Sequence, residues 1–295
     1  MKTPLEISRR LCIAILLACL PTSPCAHAED ATLTPSTLHA PLVVIGASAS
    51  AGFTLSEPFG GAKTPKYRLN RYLAAALLNP NASIQSLAAT SFFLEADKQA
   101  KQQIEGALAT KPAAVIGIDF LFWFCYGNVP NEEDRAPRFD RGLAYLDQLN
   151  CPLVIGDIPD ASGAVGGILG AKEVPKPEVI AAANRRLTEW ASRRKNVALV
   201  SLSEFMTACL NDHALSIGPL TIPEGQTGKL LQSDKLHPAR HGCAALALAI
   251  LNALTREPGL ITSKDVRWDI EDVYLRAQET PGASSTSNAP AAAAP

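Results

Sequence analysis

The chain has 295 residues, 47% of them hydrophobic, and a formal net charge of -1. That length suits one large domain or two small ones. With no basic stripe and no interleaving of aromatic and basic residues, the composition argues against nucleic acid as a partner.

The first 28 residues read as a targeting segment. Lys2, Arg9 and Arg10 precede an apolar run from Leu11 to Leu20 that is too short to span a bilayer. Ala26-His27-Ala28 then offers a small-x-small cleavage site, so the segment reads as a secretory signal peptide cut after Ala28. The expectation is an exported protein, periplasmic or secreted, with no transmembrane segment after cleavage. Ser8-Arg9-Arg10 is a weak twin-arginine match. Leu16-Leu17-Ala18-Cys19 loosely resembles a lipoprotein box, which would leave a lipid anchor on Cys19. Plain export is preferred because Ala26-His27-Ala28 lies at a normal distance from the apolar run. Cleavage removes a net charge of +2 and leaves about -3. Four cysteines remain: Cys125, Cys151, Cys209 and Cys243. An exported compartment permits disulfides, four cysteines allow three pairings, and buried free thiols are an equal alternative. Their spacing is not that of a metal site.

After a polar lead-in over 29–40, Pro41-Leu42-Val43-Val44-Ile45-Gly46 is a continuous apolar run ending in small residues, as in a parallel strand buried on both faces. Similar runs recur at Ala113–Ile118, Pro152–Gly156 and Val197–Val200, with a weaker one at Ser83–Leu87. Helical patterns alternate with them. They lie at Tyr67–Leu78, at Lys98–Leu108 with Ala100, Ile104 and Leu108 on one face, at Asp134–Leu149, and at Glu178–Arg194 with Ile180, Ala183, Leu187 and Trp190 in one stripe. Ala239–Leu254 is apolar nearly all round and should be buried. Residues 264–277 form one further candidate helix, and 279–295 are low-complexity and expected to be disordered. Pro159–Pro177 is glycine-rich and could serve as a flap, and His213–Ser233 reads as irregular.

Strand and helix in strict alternation mean an α/β sandwich with a parallel sheet and right-handed crossovers. Sites in such folds lie beyond the carboxyl ends of the strands. Ser48, Asp119 and Asp157 each follow directly on a predicted strand and should share one rim.

Two short stretches carry candidate chemistry. Gly46-Ala47-Ser48-Ala49-Ser50-Ala51-Gly52 places a serine among small residues after the first strand, where backbone N–H groups can face a developing oxyanion. It matches neither the G-x-S-x-G elbow nor a phosphate loop. In Asp234-Lys235-Leu236-His237-Pro238 the aspartate stands three residues before the histidine, close enough to turn back and orient it. Pro238 fits the first turn of the helix that follows, which would put His237 near its N-cap. His241 is a rival base, and Asp157 or Asp160 a rival partner for His237. The aromatic run Phe120–Tyr126 is mostly core, with part of it available to wall a pocket.

A serine after the first strand and Asp-x-x-His-Pro before the last long helix together resemble the SGNH (GDSL-type) esterase and lipase family. As an order of elements the resemblance covers 41–255; as residues it covers the two end motifs. It implies a domain over 41–278 with a flavodoxin-like three-layer α/β/α sandwich. It also implies Ser48 as nucleophile, His237 as base and then acid, Asp234 as orienting carboxylate, and neither metal nor cofactor. The implied substrate is a small-molecule or glycan ester, for instance an acyl or acetyl ester of a carbohydrate. The family's Gly-Asp-Ser reads Gly46-Ala47-Ser48 here. Its oxyanion glycine has Ala88 or Ala89 as counterpart. Its Gly-x-Asn reads Gly117-Ile118-Asp119, and an ionised aspartate cannot donate to an oxyanion as asparagine does. Asp119 is therefore expected at the substrate or oxyanion position in a changed role. The alternatives are a binding protein of the same fold for carbohydrate or envelope components, and an O-acyltransferase using the same three residues.

Overall fold

The computed structural model describes residues 40–279. The proposed signal peptide, the lead-in up to residue 39 and the tail from residue 280 lie outside the described residues. In chain order the elements are β1 (Leu42–Val44), α1 (Ser48–Ala51), α2 (Leu69–Ala76), β2 (Ile84–Ser86), α3 (Ala96–Thr110), β3 (Ala114–Gly117), α4 (Phe122–Cys125) and α5 (Arg135–Leu146). There follow β4 (Leu153–Gly156), α6 (Pro177–Ser192), β5 (Val197–Val200), α7 (Leu202–Asn211), β6 (Leu215–Ile217), β7 (Leu220–Ile222), α8 (Arg240–Leu254) and α9 (Ile270–Glu279).

Five strands form one sheet in the order β2-β1-β3-β4-β5, with every pairing parallel. This is the flavodoxin-like order, and its direction reverses between β1 and β3. β1, β3 and β4 are continuous apolar runs because both of their faces are covered. Successive side chains leave a strand on opposite sides, so β1 feeds two cores. Leu42 and Val44 pack with α2, α7 and α8; Val43 and Ile45 pack with α3, α5 and α6. β3 and β4 divide in the same way. α8 is buried nearly all round, and its Gly242 is needed, because a Cβ there would lie 1.9 Å from the Leu230 carbonyl oxygen. That contact seats the start of α8 against the segment that carries Asp234 and His237.

The structure corrects the sequence reading at several elements. Leu202–Asn211 is a helix where none was expected. The stretch read as irregular contains an antiparallel hairpin, β6 and β7, turned at Gly218 with φ of +56°. Leu108 is 44% exposed, and the buried face of α3 runs through Ala100, Gln103, Ile104 and Ala107. The last helix starts at Ile270 and continues through Glu279. The 159–177 loop is stapled down. The Tyr126 hydroxyl donates to the Pro159 carbonyl and accepts from the Ala161 N–H, and the buried Arg135 guanidinium donates to the Lys172 carbonyl. Among the described residues no helix is long and apolar enough to cross a membrane.

Candidate active site

β1 ends at a sharp turn. Gly46 has φ of +135°, and a Cβ added there would sit 2.1 Å from Asp119 Oδ1, so only glycine fits. The buried Gln103 of α3 holds the Gly46 peptide from both sides. Its Oε1 accepts the Gly46 N–H at 2.6 Å and its Nε2 donates to the Gly46 carbonyl at 3.0 Å. Two residues after Gly46, α1 begins with Ser48.

Asp119, after β3, organises this turn. Its Oδ1 accepts from the Ala47 N–H at 3.1 Å and the Ser50 hydroxyl at 2.6 Å. Its Oδ2 accepts from the N–H groups of Ala49 at 2.9 Å and Ser50 at 3.1 Å. The carboxylate passes over residue 48, and the Ser48 N–H has no hydrogen-bond partner among the described residues. Burial pushes the Asp119 carboxyl up, against these hydrogen bonds, which favour the charged form. Asp119 lines the cavity beside Ser48, but both of its oxygens are occupied by the serine turn. The expectation of Ala89 as an oxyanion donor needs correction, because its N–H donates to the Gly46 carbonyl at 3.1 Å. The neighbouring Ala88 N–H has no partner among the described residues.

Asp234 and His237 arrive on the segment between β7 and α8. Lys235 takes a left-handed conformation, φ of +57°, which turns the chain tightly enough for Asp234 to face back. Asp234 Oδ1 accepts the N–H groups of Leu236 and His237, each at 3.0 Å, as an aspartate does in a local turn. Its Oδ2 lies 2.8 Å from His237 Nδ1. A carboxylate only accepts, so Nδ1 carries the proton and the Nε2 lone pair is free. Nε2 lies 2.8 Å from Ser48 Oγ. The structure thus brings together Ser48, His237 and Asp234, which are separated by up to 189 residues in sequence. Burial opposes ionisation of Asp234, but the bond to His237 and the two turn amides outweigh it and hold the carboxyl below its ordinary range.

Ala239 is the N-cap and α8 starts at Arg240, so His237 lies two residues before the cap, and Pro238 precedes the cap instead of standing in the first turn. Two residues that sequence reasoning missed support the imidazole. The Phe53 ring stacks on it with centroids 3.9 Å apart and planes at 21°. The Gln232 side chain donates to the carbonyls of Phe53 and Pro238, and its backbone N–H donates to the His237 carbonyl at 2.8 Å. Gln232 therefore ties the histidine turn to the loop after α1.

The rival groups lie elsewhere. His241 pairs with Glu271 at 3.0 Å and stacks on Tyr274, joining α8 to α9. Asp157 accepts from the Ser203 N–H and hydroxyl and from the Ser201 hydroxyl, so it caps α7. Asp160 accepts from the Ser162 N–H within its own turn. Among the aromatic run, Phe120 and Phe124 are core, while Phe122 and Trp123 wall a cavity beside Ser48. The four cysteines among the described residues, Cys125, Cys151, Cys209 and Cys243, are free thiols. Among the described residues no three His, Cys, Asp or Glu side chains gather as a metal site would require.

No protein-family profile matches the chain, and no curated protein matches it in sequence. Solved structures of similar shape include a lipase/acylhydrolase from Enterococcus faecalis, 16% identical, covering 78% of this chain and 98% of that one, with a TM-score of 0.46. An acetylxylan esterase from Geobacillus stearothermophilus is 15% identical over 78% of this chain and 100% of its own, with a TM-score of 0.45. An α/β hydrolase enzyme from the metagenome of Lake Arreo, Spain, is 15% identical over 73% and 94%, also at 0.45. These likenesses are remote, and the chemistry of the site rests on its own residues.

Proposed function

We propose that the chain is a serine ester hydrolase of the SGNH type. The observation that carries this reading is the unbroken relay from Asp234 through His237 to Ser48, with both links at 2.8 Å. It ends at a hydroxyl that lines an apolar cavity.

In this reading His237 Nε2 takes the Ser48 proton as Oγ bonds to the ester carbonyl carbon. Asp234 stabilises the imidazolium that forms, and the Phe53 ring face adds a cation–π contact. The carbonyl oxygen becomes an oxyanion beside the unpartnered Ser48 N–H, and the Ala88 N–H is the candidate second donor. The bond from the carbonyl carbon to the alcohol oxygen then breaks, and His237 passes its proton to the departing alcohol. Water enters, gives a proton to His237 and attacks the acyl carbon. The bond to Ser48 Oγ breaks, His237 returns the proton to Oγ, and the acid leaves. Asp119 acts through the turn it holds and is a positioning residue. A purely binding role for this fold is the weaker reading, since the Asp119 carboxylate is turned to the serine loop and the Ser48 N–H is left open.

The test is labelling of the purified protein with a fluorophosphonate probe, which bonds only to an activated serine. Labelling should be lost in Ser48→Ala and fall by on the order of 10,000-fold or more in His237→Ala. Wild-type protein that is folded and does not label would refute the proposal.

A further inference from the structure

Ser48 and His237 also line a second cleft, whose walls are aromatic. Phe93 and Trp123 form a corner of it, with ring centroids 5.6 Å apart and planes at 42°. Phe53, stacked on the imidazole, walls the side next to the reacting pair, and Phe59, 74% exposed, is open to solvent. Among the described residues the chain's own guanidinium groups lie over Trp190 and Tyr274, and none of its cations lies over these four rings. Apart from the reacting pair, the polar lining of the cleft is Thr90 and Glu173. Glu173 is firmly placed. Its N–H donates to the Gly170 carbonyl and its carbonyl accepts the Gly127 N–H, each at 2.9 Å. Its Oε2 accepts the Gly170 N–H at 2.7 Å, while Oε1 has no hydrogen-bond partner among the described residues. The carboxylate also pairs with no Lys, Arg or His among them. The local turn thus uses one oxygen and leaves the charge without a counter-ion.

A group that fills this cleft has to deal with that charge. A neutral apolar group would strip water from Oε1 and return nothing, and an unpaired carboxylate is costly to desolvate. An anionic group would be repelled. A cationic group gains twice, from the carboxylate and from ring faces whose quadrupoles attract it. A quaternary ammonium suits the lining best. Its charge is spread over methyl groups that pack on aromatic rings, and it asks for no hydrogen-bond acceptors, of which the cleft has few.

We infer that this cleft is a cation subsite, and that the ester hydrolysed at Ser48 carries an ammonium group, best a quaternary one, on the half that enters it. Glu173 supplies the counter-charge, and Phe59, Phe93 and Trp123 supply the ring faces. This rests on the ester hydrolase reading above and deepens it. The subsite selects by charge: it favours cationic esters over uncharged esters of the same shape, because only the former compensate Glu173 when water is displaced.

The experiment compares kcat/KM for butyrylcholine with that for dimethylbutyl butyrate, the uncharged isostere in which carbon replaces nitrogen. The ethyl ester of trimethylammoniobutyrate and its carbon isostere make the same comparison for the acyl half. Fluorophosphonate labelling measures the activated serine independently. In one of the two pairs the charged ester should be favoured by on the order of tenfold, the combined worth of a cation–π contact and a solvent-screened ion pair. The ratio should shrink in about 1 M salt, where the screening length is about 3 Å. Glu173→Gln can still accept the Gly170 N–H through its carbonyl oxygen, and it should bring the ratio close to one; Glu173→Lys should take it below one. Tetramethylammonium chloride should slow labelling of the wild type more than sodium chloride at equal concentration. Phe59→Ser, at an exposed position, should weaken that effect, which keeps the test sharp if the Glu173 variants misfold. A wild-type ratio near one in both pairs, or a preference that Glu173→Gln leaves in place, overturns this inference, and labelling then leaves the hydrolase reading standing. Neither labelling nor turnover of any ester overturns both.

Discussion

Replacing Asp119 by Asn separates a clamp from a donor. The change keeps the shape of the side chain but removes its charge and one acceptor oxygen. In the native turn Oδ1 serves the Ala47 N–H and the Ser50 hydroxyl, and Oδ2 serves the N–H groups of Ala49 and Ser50. A carboxamide has one carbonyl oxygen and two N–H donors. Its oxygen is best placed at the Oδ2 position, where both partners are backbone amides. The NH2 then faces the Ser50 hydroxyl, which can rotate to accept, and the Ala47 N–H, which cannot. One buried N–H is orphaned, at a cost of about 1–3 kcal/mol. If the turn moves to relieve it, Ser48 Oγ leaves its 2.8 Å contact with His237. The same energy lost from the transition state is about 5- to 150-fold in rate. The assay is kcat and KM on an aryl butyrate alongside the fluorophosphonate labelling rate. Asp119→Asn should lower kcat and the labelling rate together with KM little changed. A merely structural loss would lower the melting temperature and leave both rates per folded molecule intact. If Asp119→Asn raises kcat, its amide is donating to the oxyanion and the clamp reasoning is refuted.

Three more outcomes are expected. Ala47→Asp alone should destabilise the protein by several kcal/mol, because it buries a second carboxylate beside Asp119; combined with Asp119→Asn it should recover at least about 1 kcal/mol in urea unfolding, and strictly additive effects would count against a shared pocket. Asp234 is held below its ordinary range, so its contribution to stability is present above the unfolded value near pH 4 and is lost as pH falls through the lower native value. The melting-temperature gap between wild type and Asp234→Asn should therefore close below about pH 4, and a gap that widens in acid would contradict the assignment. A chain starting at residue 29 should titrate four thiols in denaturant without reductant. In the native state the half-buried Cys151 should react first, since burial pushes Cys125 and Cys209 up to about 12; fewer than four thiols would reveal a disulfide.

Strands β1, β3 and β4 were legible in the sequence because both of their faces are covered, which writes each as an unbroken apolar run between turn residues. α8 was legible for the same reason. β2, an edge strand with Gln85 exposed, left a weaker trace. α7 was missed although Ser201 stands three residues before Glu204 and accepts its N–H, a capping signal that precedes an apolar run. The β6–β7 hairpin was missed because its strands have three residues each, too few to show a period. At the site, Ser48, Asp234 and His237 were readable because short local motifs carry them. Phe53, Gln103 and Gln232 were not. Each is an ordinary loop or helix residue whose role comes from a partner that folding alone delivers: Phe53 lies under a ring 184 positions away, and Gln103 bonds a glycine 57 positions earlier.

Read along the chain, Ala47 and Asp119, the two departures from the motifs of the resembled family, stand 72 residues apart and look independent. In space they meet. The Ala47 N–H donates to Asp119 Oδ1, and the same oxygen lies where a Gly46 side chain would have to be. Ala47 is 1% exposed, so a carboxylate there would share this dry pocket with Asp119, and two like charges so placed cannot both stay ionised. The turn thus has room for one acid, and in this chain it comes from the end of β3. That choice bears on chemistry. A carboxylate at 119 whose two oxygens accept from the serine turn cannot donate to an oxyanion, so in the proposed reaction that burden would fall on the backbone. The carboxylate accepts from residues 47, 49 and 50 and leaves the N–H of residue 48 unclaimed, which is the donor that an attacking Ser48 would need.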